Sequence, residues 1–151
     1  MDMLPKENVS ALAQAIHGDY QKNNPGSRYD MPWDELPEDI KQSNRDQVHE
    51  FIGHITFLGL TVRSANETAS GIEQFTDLQA ETVAERIHKV WAQSKKAAGW
   101  IYGANRDDER KVHPCLVPYA ELPEVEKDKD RALARNMLKL LNDAGVQVYR
   151  Q

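Results

Sequence analysis

A single cysteine, Cys115, stands in 151 residues, so no disulfide can form within the chain, and the composition fits a reducing compartment. Long apolar runs are missing as well: nothing approaches the ~20 residues that a membrane helix requires. The opening MDMLPKENVS has no basic stretch followed by an apolar core, so no signal peptide is read there. These readings place the protein in the cytoplasm, and the Asn66-Glu67-Thr68 sequon is then without consequence, because glycosylation requires secretion. Basic excess is also lacking. With 19 Lys and Arg against 24 Asp and Glu, the net charge is -5. That excludes a general nucleic-acid binder, which needs a basic face to displace counterions, although an acidic protein can still hold one local basic pocket.

Catalytic signatures are equally scarce. Neither G-x-G-x-x-G nor a P-loop occurs. HEFIGH, His49 to His54, imitates a zinc-protease motif with one residue too many. Five helical residues turn ~500°, which leaves the two imidazoles ~140° apart and unable to share a metal. His113 and Cys115 sit two residues apart, but a base that close along one strand is badly placed to activate a thiol, and a structural Cys is the simpler reading. Asp107 and Asp108 are adjacent and lack a partner for acid-base work. The expectation is a non-enzyme with no metal and no cofactor.

What remains is ordinary globular material, 40% hydrophobic and 28% charged, organised mainly as helix with a short β-hairpin and strands. Val9, Leu12, Ala13, Ile16 and Tyr20 form one stripe at 3-and-4 spacing. A second helix starts after Pro37, with Glu38 and Asp39 in its first turn and Ile40, Val48, Phe51, Ile52, Ile55 and Leu58 on one face; Gly59 stops it. Leu60-Thr61-Val62 follows as a short apolar segment. A third helix carries Val83, Ala84, Ile87, Val90 and Trp91, with Trp91 assigned to the core. A fourth starts near Pro123 and carries Leu133, Met137, Leu140, Leu141 and Ala144 before Gly145, its VEKDKDR turns reading as a solvated face.

The chain repeats itself. PWDELPEDIKQSNR matches PYAELPEVEKDKDR, pairing Pro32 with Pro118, Trp33 with Tyr119, Lys41 with Lys127 and Arg45 with Arg131. The register holds to Leu58-Gly59-Leu60-Thr61-Val62 against Ala144-Gly145-Val146-Gln147-Val148. Upstream, at a smaller offset, Leu12-Ala13, Ile16-His17 and Tyr20 match Val83-Ala84, Ile87-His88 and Trp91. The halves are thus two helix-loop-helix-strand units: a divergent N-terminal half-repeat at 1–63, a polar linker at 64–76, and a second repeat at 77–151. The change of offset marks an insertion in the second, GWIYGANRDDERKVHP.

That insertion reads as a hairpin, with Gly99 to Gly103 as one strand, Val112 to Val117 as its partner and Ala104 to Arg110 as the loop. Alternation puts Trp100 and Tyr102 on one side and Ile101 on the other. Trp100 and Tyr102, with Arg106, Lys111 and His113 nearby, offer a flat stacking surface beside cationic donors, suited to a planar base and a phosphate. Trp33 and Tyr119, at equivalent repeat positions, could form the opposite wall. The plainer reading is that the Trp side chains pack in a core and that the loop charges neutralise one another in solvent.

From His88-Lys89-Val90-Trp91 to Gly145, the order His-x-x-Trp, Gly-Trp-x-Tyr-Gly, Arg-Asp-Asp, His-Pro-x-Leu-Val-x-Tyr and Leu-Pro-x-x-Glu-Lys resembles the ryanodine receptor repeat, or RyR domain. The resemblance covers roughly the last 70 residues; the first half is similar to the segment that accompanies RyR domains in bacterial proteins. It implies two pseudo-repeats packed as one RyR-type domain in a prokaryotic or phage stand-alone form. It also implies a non-enzymatic sensor or sequestering module, in phage defence signalling, for a small nucleotide-like anion such as ADP-ribose, a cyclic nucleotide or an adenine nucleotide. The stacking role falls on Trp100. The first repeat lacks the Gly-Trp hairpin, so either Trp33 or a second protomer in a homodimer would complete the cleft. The alternative is a protein-protein interaction module with no small ligand.

Overall fold

A computed structural model describes residues 5–64 and 71–150. Residues 65–70, with the Asn66 sequon and the middle of the expected linker, lie outside the described residues. The chain is mainly helical with short strands. Its helices are α1 (Lys6–Asn23), α2 (Glu38–Phe57), α3 (Asp77–Ala97) and α4 (Glu124–Asp143). Its strands are β1 (Leu60–Ser64), β2 (Ile101–Tyr102), β3 (Val112–His113) and β4 (Val146–Arg150). They form two compact units that are not consecutive halves: 1–74 together with 137–151, and 75–136. Among the described residues, no helix is long and apolar enough to cross a membrane.

Local chemistry accounts for the helix ends. α2 follows Pro37 and carries Glu38 and Asp39 at its positive end. Gly59 and Gly145 terminate α2 and α4 at φ 79° and 82°, a left-handed conformation that costs glycine nothing. Thr76 caps α3 reciprocally with Gln79: the Gln79 amide donates to Thr76 Oγ1 at 3.1 Å and the Thr76 amide to Gln79 Oε1 at 3.0 Å.

In the N-terminal unit α1 packs on α2, and β1 pairs antiparallel with β4, Leu60 opposite Arg150 and Val62 opposite Val148. Buried there are Leu12, Val48, Phe51, Ile55, Val62, Leu138, Leu141 and Val148. Gly71 and Ile72 lie against β4, the Ile72 amide donating to the Val148 carbonyl at 2.7 Å.

The repeat read from the sequence is present in the backbone. A one-turn 3-10 helix at Trp33–Glu35 has its counterpart at Tyr119–Glu121, and the prolines ahead of them adopt φ/ψ of -57°/149° and -56°/148°. Each unit ties its first helix to this turn through a buried histidine. His17 Nε2 lies 2.6 Å from the Met31 carbonyl oxygen and His88 Nε2 lies 2.7 Å from that of Val117. These histidines belong to the helix stripes, and apolar counting misplaces some neighbours: Tyr20 and Leu133 are exposed. The VEKDKDR face is more than solvated charge. Its Arg131 is bonded to Glu124, Asp128 and, from α3, Glu81 at 2.5–2.6 Å.

Candidate functional site

The candidate site is built where α3 ends. The Trp100 amide returns to the Lys95 carbonyl at 3.0 Å, with Gly99 at φ 94° making the reversal. This lays the half-buried indole under its own helix, and Lys95 Nζ sits 4.4 Å from the ring centroid. Lys111 Nζ donates to the Ala98 carbonyl at 2.8 Å, satisfying an orphan acceptor at the helix C-terminus.

The insertion is not the hairpin that alternation suggests. β2 and β3 run parallel, Ile101 beside Val112 and Tyr102 beside His113. The reversal is consumed inside the loop instead: Asp107 and Val112 exchange both backbone hydrogen bonds, at 2.9 and 3.0 Å, and Lys111 takes φ 57° to close that turn. The chain therefore re-enters the ribbon in its original direction. Two-residue strands on a surface do not segregate faces, and Ile101 and Tyr102 are both exposed, at 60% and 58%.

His113 is half-buried between two indoles, 4.9 Å from Trp91 in an edge contact and 6.2 Å from Trp100. Trp91, assigned to the core by its helix position, is thus half-buried and forms one side of this ring cluster. Burial first, and then the cations Arg106 and Lys95, hold the His113 pKa below its ordinary value. Its Nδ1 accepts the Cys115 amide at 3.0 Å, so in the neutral ring Nε2 carries the proton. Arg106 pairs with Asp108 at 2.8 Å on the exposed rim, raising the guanidinium pKa and lowering the carboxyl. Burial raises the Cys115 thiol pKa, the opposite of what an activated nucleophile needs.

The structure thus brings together Trp100, His113, Arg106 and Lys111, with Tyr102 exposed on β2 beside His113. Lys95, which the sequence reading omitted, completes the group; its place in the last helical turn ahead of Gly-Trp was the available signal. Tyr119 is a correction. Rather than walling a cleft, it is 7% exposed and packs on Ala84 and Leu122; burial, with the Glu81 carboxylate beside it, pushes its phenol up to about 12. Its smaller ring fits beneath the turn where Trp33, its counterpart, stays half-buried. Trp33 belongs to the other compact unit, 6.2 Å from His17 and with Lys41 Nζ 5.9 Å over its ring.

Among the described residues, no three His, Cys, Asp or Glu side chains gather as a metal site requires. His54 is buried and His49 exposed, on different faces of α2 as the helical angle demands. Residues 68–150 match the family model of the RyR domain. That match takes in α3, the insertion, α4 and β4, more than half of the chain, and the protein belongs to the RyR domain family.

Proposed function

We propose that the protein is a non-enzymatic binding module for a small nucleotide-derived anion, such as an adenine nucleotide or ADP-ribose, held at Trp100. One observation carries the reading: Lys95 lies over a half-buried indole, and His113, 6.2 Å from the same ring, feels both Lys95 and Arg106. The indole stacks the base, Lys95 transfers its ammonium from the ring to a phosphate, and Arg106 exchanges an exposed aspartate for the ligand. A stack of ~1–3 kcal/mol with two charge-assisted bonds of ~1.5–3 kcal/mol each approaches the ~8 kcal/mol of micromolar binding. Turnover has no role in this reading, so the module senses or sequesters its ligand.

Titration with adenine nucleotides and ADP-ribose, followed by tryptophan emission and melting temperature, tests it. Trp100→Ala abolishes the response; unchanged binding by that variant rejects the site. A second reading, docking of a protein through the insertion, is favoured by the adjacent exposure of Ile101 and Tyr102. It is supported instead if no nucleotide shifts the melt and Tyr102→Ser abolishes self-association or capture of a partner.

A further inference from the structure

The N-terminal unit contains a cavity of about 370 Å³ between α1, α2 and the 24–31 loop, lined by His17, Asp19, Tyr20, Tyr29, Asn44 and Gln47 among others. The internal repeat explains why it is open. Tyr20 corresponds to Trp91, His17 to His88 and Asn44 to Asp130. In the C-terminal unit the inserted segment supplies a neutral imidazole, His113, that meets Trp91 edge-on at 4.9 Å. The N-terminal unit has no such insertion: among the described residues Tyr20 has a ring contact with His17, at 6.3 Å, and no ring standing to it as His113 stands to Trp91.

The lining sets the chemistry of what the cavity could hold. Asn44 is only 9% exposed, yet its amide oxygen takes a single long contact, 3.4 Å, from Gln47. Among the described residues its amide nitrogen donates to nothing. That nitrogen is not sealed from solvent, so it is open to a ligand that offers an acceptor. No Lys or Arg is among the residues lining the cavity, and Asp19 is, so a phosphate is disfavoured inside it. The loop is fastened before any ligand arrives: Asp30 accepts from Gly26 at 2.8 Å and Gln21 at 3.2 Å, and Asn24 Nδ2 donates to Tyr20 O at 3.0 Å. A pre-ordered wall of rings and amides avoids part of the cost of binding.

We propose that this cavity is a second binding site, distinct from Trp100, for an uncharged planar heterocycle of the nucleobase or nucleoside class. The ring packs on Tyr20 as His113 does on Trp91, and the Asn44 amide reads its hydrogen-bonding edge.

The full ¹⁵N-labelled chain is titrated with adenosine, guanosine, cytidine and uridine, following the Asn44 and Gln47 side-chain amide signals and the binding heat. At least one nucleoside is expected to bind saturably with Kd below about 1 mM. Asn44→Leu should weaken it about tenfold or more, Gln47→Ala, at an exposed position, should weaken it less, and Trp100→Ala should leave it unchanged. The proposal is overturned if no nucleoside moves those amides, if Trp100→Ala removes the binding, or if a nucleoside 5′-monophosphate binds the Trp100→Ala protein more tightly than the nucleoside does. It is likewise overturned if a peptide copying the insertion, but no nucleoside, fills the cavity.

Discussion

Val62 lies opposite Val148 at the centre of the β1–β4 ribbon, and each is the other's counterpart in the repeat. Two copies of one strand pair about a local two-fold in this register, as identical subunits do in an isologous dimer. Both side chains are buried, Val148 completely. Val62→Ala and Val148→Ala should each cost about 1.5–3 kcal/mol in urea unfolding. The double variant should lose less than the sum, since the two face each other. Strict additivity would mean that they do not share one contact.

His88 and His17 should behave as a matched pair. Each is buried, at 5% and 3% exposed, and each donates Nε2–H to the carbonyl ahead of a turn-forming proline. His88→Ala or His17→Ala orphans that carbonyl and should lower stability by about 1–3 kcal/mol. His88→Gln, which keeps a donor, should recover part of the loss. Unaltered denaturation midpoints for both alanine variants would show that the bonds contribute nothing net.

Those histidines also show what the sequence made legible. Helix positions followed from the 3-and-4 stripes, and the ends from Pro37, Gly59 and Gly145; the repeat was visible because turn prolines and glycines keep their spacing. Apolar counting, however, cannot know that a distant carbonyl will satisfy His17. The Val62–Val148 register joins residues 86 apart, beyond any local signal. Strand alternation on Gly99 to Gly103 suggested a hairpin, because nothing local announces that Asp107 and Val112 close their own turn. Tyr119 and Trp33 looked interchangeable as walls, whereas the smaller ring is the one that fits into a core. Trp100, Arg106, Lys111 and His113 were singled out because aromatics and cations crowd into one insertion. Lys95 joined them only through the helix reversal at Gly99.

Two glycines separate backbone strain from helix propensity. At both Gly59 and Gly53 a methyl group would meet nothing within 4 Å, so packing does not enter. Gly59 holds φ 79°, and Gly59→Ala should destabilise by about 1–2 kcal/mol. Gly53 lies within α2, exposed, where Gly53→Ala should stabilise by about 1 kcal/mol. Opposite shifts in thermal midpoint are expected; shifts of the same sign would contradict the left-handed assignment at residue 59.

His113 connects stability with the proposed ligand through one proton. Its folded-state pKa lies below the ordinary 6.5 because of burial and the cations Arg106 and Lys95. Between those two values the unfolded chain holds more protons than the folded one, so stability falls as pH drops through that window. His113→Asn keeps an acceptor for the Cys115 amide but cannot titrate, and should remove this part of the acid sensitivity. The comparison with wild type also cancels Glu50 and Asp130, whose carboxyl pKa values burial raises. A phosphate bound beside the ring acts in the opposite direction, favouring imidazolium. Nucleotide binding near pH 6 should therefore take up protons, seen as a binding heat that changes with the ionisation enthalpy of the buffer. His113→Asn should abolish that dependence. A wild-type heat independent of buffer, with binding intact, would place the phosphate away from His113.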